Sequence, residues 1–237
     1  MNVKELESKI QILENKLQSL ENLEDKIQRL EDIDEIKRLQ RIYGFYVEHW
    51  MAEDIIDLFA DGEDTELWLA AGKFKGKEAV SHFFRHGAGE EIHCNTNPEF
   101  LFQLMQLSGV VDVSPDGKTA QGRWYGFGAN AFPVEGGKIN PGWINGVYEI
   151  DYVKEDGKWK FKKVHWCMIF RAPWTEGFVD PEKKDNSMHD RPYQDNENPA
   201  LRPSGVPEET LYPSGFICPF HYNNPVSGRK PVINISS

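Results

Sequence analysis

Two aromatic and β-branched runs within residues 143–170 constrain the fold more than any other feature of the chain. The polar segment between them carries Asp156-Gly157, a dipeptide typical of tight hairpin turns, so the runs are predicted to form a β-hairpin. Side chains alternate between the two faces of a strand, so every second residue shares a face. On the first strand these residues are Trp143, Asn145, Val147, Glu149 and Asp151, and on the second they are Phe161, Lys163, His165 and Cys167. Such a face combines apolar bulk with Glu149 and His165, which is expected beside solvent or a cavity rather than in a closed core.

The composition limits the classes of partner. A formal net charge of -11 and a pI near 5.2 predict that the chain binds neither nucleic acid nor an anionic membrane. The sequence shows no secretion signal and no membrane span, and Cys94, Cys167 and Cys218 form neither a metal-ligand spacing nor a disulfide framework. We therefore expect a soluble protein of the reducing cytoplasm.

Residues 1–32 are predicted to form a coiled-coil helix. Their apolar positions follow heptad spacing with one stammer, at Ile10, Leu13, Leu17, Leu20, Leu23, Ile27 and Leu30. Self-association is favoured because an isolated helix of this length is marginally stable without a partner. The alternative is an amphipathic helix that packs back on its own domain.

Residues 33–172 are predicted to form one α+β domain. The helical period continues from Ile33 to a break near residues 49–52, and further helices are predicted at 55–60 and 76–84. Strands are predicted at 65–69, 100–113 and 119–127, before the hairpin. Consecutive turn-linked strands indicate a curved antiparallel sheet with the helices on one face.

Residues 173–237 are predicted to form an extended C-terminal arm. Most of the 14 prolines of the chain lie there, which disfavours regular structure. Aromatic residues nevertheless recur along the segment, more than a disordered tail would carry. The pattern predicts an arm that wraps its own or a neighbouring subunit.

Four local patterns follow one another along the domain. They are Arg38-Leu-Gln-Arg-Ile-Tyr43 leading to Asp57-Leu-Phe-Ala-Asp61, then Gly72-x-x-x-Gly-Lys-Glu-Ala79, then Asp116-Gly-Lys-Thr-Ala-Gln-Gly-Arg-Trp124, and finally Gly146-Val-Tyr-Glu with Gly157-Lys-Trp-Lys-Phe. In this order they resemble the SnoaL-like proteins of the nuclear-transport-factor-2-like superfamily. The resemblance implies a cone whose mouth leads to an apolar pocket, often with oligomerisation through the sheet. It does not fix the function, since the same cone serves lyases, isomerases and noncatalytic binders.

The resemblance also implies candidate catalytic residues at the end of the first helix. In relatives that dehydrate aromatic or polycyclic compounds, a tyrosine and an acid five positions later face the pocket, and Tyr43 and Glu48 have that spacing. The family often carries a histidine on the strand after the third helix, and residues 100–107 have none. His165, His49 or His93 would have to replace it. The alternatives without a catalytic role are that Tyr43 is a core aromatic residue and that Glu48 is a solvent-exposed acid at the end of the helix.

His165 and Arg123 complete the predicted catalytic set. Histidine exchanges protons near neutral pH, as elimination or isomerisation requires; the alternative is a core histidine paired with Glu149 or Asp151. Arg123 would hold a developing oxyanion, or else form an ordinary ion pair with Glu149.

A flat aromatic ligand would suit the many large side chains of the domain, although core and interface packing accounts for such residues equally well. The predicted substrate-binding residues are Tyr46, Trp50, Trp68, Phe102, Tyr125, Trp143 and Glu149. The histidines lack H-x-H and H-E-x-x-H spacing, and no phosphate or dinucleotide loop is present, so no metal and no cofactor are predicted.

Two functions follow from the sequence. The first is a cofactor-independent lyase, either a dehydratase or an aldehyde-releasing carbon–carbon lyase, with an isomerase as second choice. Its substrate would be a small aromatic or polycyclic compound of steroid, polyketide or lignin-derived type, and the protein would be a homodimer or homotrimer. The second is a noncatalytic ligand-binding or assembly subunit with the same cone.

Overall fold

The computed structural model describes residues 3–87, 93–133, 139–178, 196–205 and 216–231. Its helices are α1 (Val3–Glu48), α2 (Ala52–Asp57) and α3 (Lys77–His86). Its strands are β1 (Glu66–Leu69), β2 (Gly72–Lys75), β3 (Leu101–Phe102), β4 (Met105–Val113), β5 (Thr119–Pro133), β6 (Ile139–Glu155) and β7 (Lys158–Pro173). None of the helices among the described residues is long and apolar enough to span a membrane.

One curved sheet contains all seven strands, in the order β2-β1-β7-β6-β5-β3, with β4 also paired to β5. Every pairing is antiparallel except that of β1 with β7, which is parallel. The three helices lie against one face, which we call the inner face, and the opposite side is the outer face. The predicted cone-shaped α+β fold is confirmed.

The predicted hairpin is confirmed as β6 and β7, joined through Asp156 and Gly157 with positive φ of 50° and 75°. The predicted position of Phe161 is wrong. The pairing shifts between Asp151 and Tyr152, so that β7 bulges by one residue and Phe161 turns inward. Phe161 is fully buried in the core, whereas Lys163, His165 and Cys167 share the outer face.

The core fills the space between α1 and the inner face. Aromatic rings dominate it, with Tyr43 meeting Tyr148 and Phe161 edge-on at centroid distances of 6.1 and 5.2 Å. The Trp166 ring lies across Gly126 and Gly146, where a Cβ atom would come within 2.6 Å of it. Side chains thus occupy the cone at the level of Tyr43.

Residues of α1 before Asp32 are exposed, and Asp32 is the first buried residue of the helix. The helix runs without a break into the folded domain, and the predicted self-association of its N-terminal part stays a prediction. The described parts of the C-terminal segment contact their own domain: Ser204 donates its backbone N–H to the Lys73 carbonyl, and residues 216–222 lie on the outer face.

Candidate functional site

A row of four side chains crosses the outer face. Arg123 of β5 pairs with Glu149 of β6, Glu149 pairs with His165 of β7, and His165 pairs with Trp68 of β1. Arg123 forms an ion pair with Glu149, and the rings of His165 and Trp68 meet edge-on at 5.1 Å. The row brings together four residues predicted from the sequence as catalytic or substrate-binding.

Residues 216–222, here called the strap, cover this row. Arg123 Nη1 donates to the carbonyls of Cys218 and Pro219 at 3.1 and 2.9 Å, and its guanidinium lies 4.0 Å from the centroid of the Phe220 ring. His221 Nδ1 lies 2.8 Å from Glu149 Oε2. Because an ionised carboxylate only accepts hydrogen bonds, this His221 nitrogen is the donor. Glu149 therefore holds both the sheet arginine and the strap histidine.

A pocket of about 310 Å³ opens between the strap and the sheet. Its lining contains His165, Lys163, Glu149 and Asp151, with Trp68 and Phe220 as aromatic walls. The ammonium group of Lys163 sits 3.3 Å from the centroid of the Trp68 ring. The volume lies within the range of small-molecule sites, and the pocket combines aromatic surface with groups that exchange protons or carry charge.

A disulfide joins Cys167 on β7 to Cys218 in the strap, with the Cα atoms 6.5 Å apart. This corrects the prediction that the cysteines form no disulfide; Cys94 is free and exposed. The Cys167 sulfur also lies 3.5 Å from His165 Nε2. Local spacing could not indicate the pair, since the two cysteines are 51 residues apart in the sequence.

The predicted Tyr43 of α1 packs against the inner face and is 3% exposed. Burial raises the pKa of the Tyr43 hydroxyl, and it also raises those of Tyr148 and Tyr152. These hydroxyls stay neutral near pH 7 and act as hydrogen-bond donors rather than as bases. Among the described residues, Asp32 is the one carboxylate that is buried as deeply as Tyr43, and it is ion-paired with Lys154.

Two polar side chains are buried on the inner face toward the other end of the strands. Asn130 is 1% exposed, and neither polar atom of its amide has a hydrogen-bond partner in the described part of the chain. Arg171 is 5% exposed and follows β7 past its second bulge. A buried amide without a partner normally implies a bound molecule or water, so Asn130 marks a second candidate site.

The other predicted site residues are distributed between both faces. Glu48 lies in a surface groove of about 340 Å³ between α1 and the start of β4. Trp50 packs against the core and donates its indole N–H to the Phe84 carbonyl at 2.7 Å. Tyr46 and Phe102 also pack against the core, whereas Tyr125 and Trp143 are 54% and 38% exposed.

The four predicted catalytic residues do not converge. Tyr43 of α1 packs against the inner face, Glu48 lies in the groove, and Arg123 and His165 lie on the outer face. Their chemical roles stay predictions. The sequence interpretation missed Asn130, Lys163 and His221 as site residues, and the Asn130 amide had no sequence signal because neighbouring residues set its burial.

The architecture defines the chain as a protein of the cone-shaped, nuclear-transport-factor-2-like class. The SnoaL-like domain family matches residues 28–165, which is more than half of the chain. The chain belongs to the SnoaL-like domain family, as the resemblance in the sequence predicted.

Solved structures with similar folds share little sequence with the chain. A protein named Putative Scytalone Dehydratase, from Novosphingobium aromaticivorans DSM 12444, has a TM-score of 0.51 and 20% identity, covering 68% of this chain and 99% of that one. The structure of LinA has a TM-score of 0.49 and 20% identity, covering 66% and 99%. Identity at this level shows the fold alone. Comparison with curated protein sequences gives no match.

Proposed function

We propose that the chain is a cofactor-independent lyase that acts on a small aromatic or polycyclic compound in the strap-covered pocket, with an isomerase as the related alternative. The observation that carries the proposal is the pocket of about 310 Å³, whose lining combines His165 and Lys163 with the rings of Trp68 and Phe220. Membership of the SnoaL-like family supports the reaction type, since proteins of this kind include acid–base enzymes.

His165 is the proposed proton acceptor. It removes a proton from the substrate carbon, and the electron pair of that bond forms a new double bond as the leaving group departs. In a dehydratase the leaving group is hydroxide, which receives a proton and leaves as water. In a carbon–carbon lyase His165 removes the proton of a substrate hydroxyl group instead, and the O–H electron pair forms the carbonyl of the released aldehyde. The electron pair of the broken carbon–carbon bond stays on the other fragment, which takes up a proton. The Lys163 ammonium stabilises negative charge that develops on a substrate oxygen.

Arg123 and Glu149 have a different role in this proposal. The Arg123 guanidinium is already bound by Glu149 and by two strap carbonyls, so its charge is compensated. The alternative considered from the sequence, an ion pair with Glu149, is therefore what the structure contains. Both residues hold the strap in place and so shape the pocket.

A thermal-shift screen of aromatic compounds identifies a ligand first, because binding to the folded state raises Tm. With a substrate in hand, His165→Gln is expected to lower kcat by about 10²–10⁴-fold while Tm stays within a few degrees. His93→Gln is the matched control, since His93 is 62% exposed beside Glu53, away from the pocket. Near-normal turnover by His165→Gln, or an equal loss in His93→Gln, would remove His165 from the mechanism.

The second candidate function is noncatalytic ligand binding in the cone. One reason is the Asn130 amide, which has no hydrogen-bond partner among the described residues. Another is the buried core around Tyr43, where the hydroxyls of Tyr43, Tyr148 and Tyr152 are neutral and offer no base. In that case a ligand hit from the screen would lose its thermal shift in Asn130→Leu and keep it in Trp68→Ala. The lyase proposal requires the reverse pattern.

A further inference from the structure

Three potential metal ligands meet beside the strap. His165, Cys167 and Cys218 each offer one ligand atom, and these atoms all lie within 4.8 Å of one another. Cys167 and Cys218 are 2% and 5% exposed, and His165 is half-buried. The three residues come from β7 and the strap, so their grouping depends on the strap being docked.

We propose that the reduced protein binds one zinc ion through His165 Nε2 and the thiolates of Cys167 and Cys218. Zinc binds thiolate at about 2.3 Å and imidazole nitrogen at about 2.0–2.1 Å, which places such ligands roughly 3.5 Å apart around a tetrahedron. His165 Nε2 and the Cys167 sulfur are 3.5 Å apart. Two thiolates and an imidazole select zinc over oxygen-seeking calcium or magnesium.

The zinc site and the disulfide are alternative states of the same two sulfurs. A dithiol or phosphine reductant supplies two electrons that cleave the Cys167–Cys218 bond, and the reductant is oxidised. The two thiols formed then lose their protons as they bind the metal. Because each sulfur is either bonded to its partner or bound to zinc, the metal would protect the pair from reoxidation.

The fourth coordination position would face the pocket, which His165 and Cys218 also line. A Cys₂His set with one open position is a ligand arrangement known from catalytic rather than closed structural zinc sites. A water molecule or a substrate oxygen would therefore complete the tetrahedron. Where the lyase proposal also holds, zinc would occupy the proposed base and inhibit turnover, but zinc binding itself does not depend on that function.

The test uses the full chain, reduced without oxygen, incubated with zinc chloride and freed of excess metal by gel filtration. Elemental analysis is expected to find one zinc per chain, and none in the oxidised protein. A thiol reagent is expected to react with Cys167 and Cys218 more slowly in the zinc form than in the reduced metal-free protein, and with the exposed Cys94 at the same rate in both. Cobalt substitution should give the sulfur-to-metal charge-transfer band of thiolate ligation.

Variants separate this site from adventitious binding. Cys218→Ser and His165→Gln should lose stoichiometric zinc, whereas Cys94→Ser, the matched control, should retain one ion per chain. Cys218 lies in the strap outside the main core, so its variant is expected to fold, which circular dichroism checks. Equal zinc retention by Cys218→Ser and the parent chain, or no retention by the reduced parent, would overturn the proposal. None of these readouts requires a substrate, so failure of the lyase proposal would leave them unchanged.

Discussion

At the scale of single residues, the described interior is organised around a chain of hydrogen bonds. Trp124 Nε1 donates to the Tyr152 hydroxyl at 3.0 Å, and that hydroxyl donates to Gln40 Oε1 at 2.9 Å. Gln40 Nε2 in turn donates to Gln106 Oε1 at 2.7 Å. This series of hydrogen bonds links α1 to β4, β5 and β6, and each side chain in it gives its neighbour a hydrogen-bond partner inside the protein.

Gln40→Leu should therefore destabilise the protein without a specific effect on turnover. The change removes the acceptor of the Tyr152 hydroxyl and the donor to Gln106 Oε1, at about 1–3 kcal/mol each, so the free energy of unfolding should fall by about 2–6 kcal/mol. Denaturant titration measures this value. Gln18→Leu, at an exposed position of the same helix, is the control and should change it by less than about 0.5 kcal/mol.

Residue patterns predicted strand faces only as far as the strands stay regular. Alternation grouped Lys163, His165 and Cys167 correctly because no bulge separates them. Phe161 was assigned to the wrong face because one extra residue before Lys163 reverses the alternation. Which face meets the helices was beyond the pattern, since both faces of β6 carry aromatic residues.

At the scale of elements, Asp32 joins α1 to the hairpin. Lys154 Nζ and Trp159 Nε1 donate to the same Asp32 oxygen at 2.6 and 3.0 Å, and Asp32 is 2% exposed. Burial acts to raise the pKa of Asp32, but these hydrogen bonds and the Lys154 charge outweigh it, so the pKa lies below its usual value. The folded state thus prefers the ionised carboxylate.

This preference predicts an acid-dependent stability. A folded pKa below the unfolded one adds stability above the unfolded pKa, near 4, and that stability is lost as the pH falls through the folded pKa. Asp32→Asn should lower the free energy of unfolding by on the order of 2–3 kcal/mol at pH 7, and by progressively less as the pH falls below about 4.

Glu53→Gln is the control for Asp32→Asn, because Glu53 forms an exposed pair with Arg85 and is 48% exposed. Arg85 also holds the pKa of Glu53 below its usual value, but exposed pairs contribute only roughly 0–1 kcal/mol, so the free energy of unfolding of this variant should stay within about 1 kcal/mol of the parent value at every pH. A difference between Asp32→Asn and the parent that stays constant from pH 7 to pH 3 would contradict the ionic explanation.

At the scale of the whole molecule, long-range placement is what the sequence left open. Local periodicity and turns such as Asp156-Gly157 predicted most of the order of helices and strands, but not β2, and they gave β3 and β4 as one strand. The disulfide, the strap and the site beneath them join segments far apart in the sequence, and local patterns carry no information on such pairs. That placement separates Tyr43 and Glu48 from Arg123 and His165, and it puts the strap over Arg123.

The N-terminal part of α1 leads to the last prediction, which concerns assembly. Leu13, Leu17, Leu20 and Leu30 are 56–66% exposed in the single chain, and about 29 helical residues extend some 43 Å before the first buried position. An isolated apolar stripe of this length is costly in water, and a parallel or antiparallel partner helix would bury it. We therefore expect a homodimer or homotrimer held in part by this helix.

Leu17→Lys combined with Leu20→Lys should reduce the mass measured by light scattering. Gln18→Lys should not, because position 18 lies outside the apolar stripe. An unchanged mass in the double variant would show that the helix does not hold the oligomer, and a monomeric parent protein would refute the assembly itself.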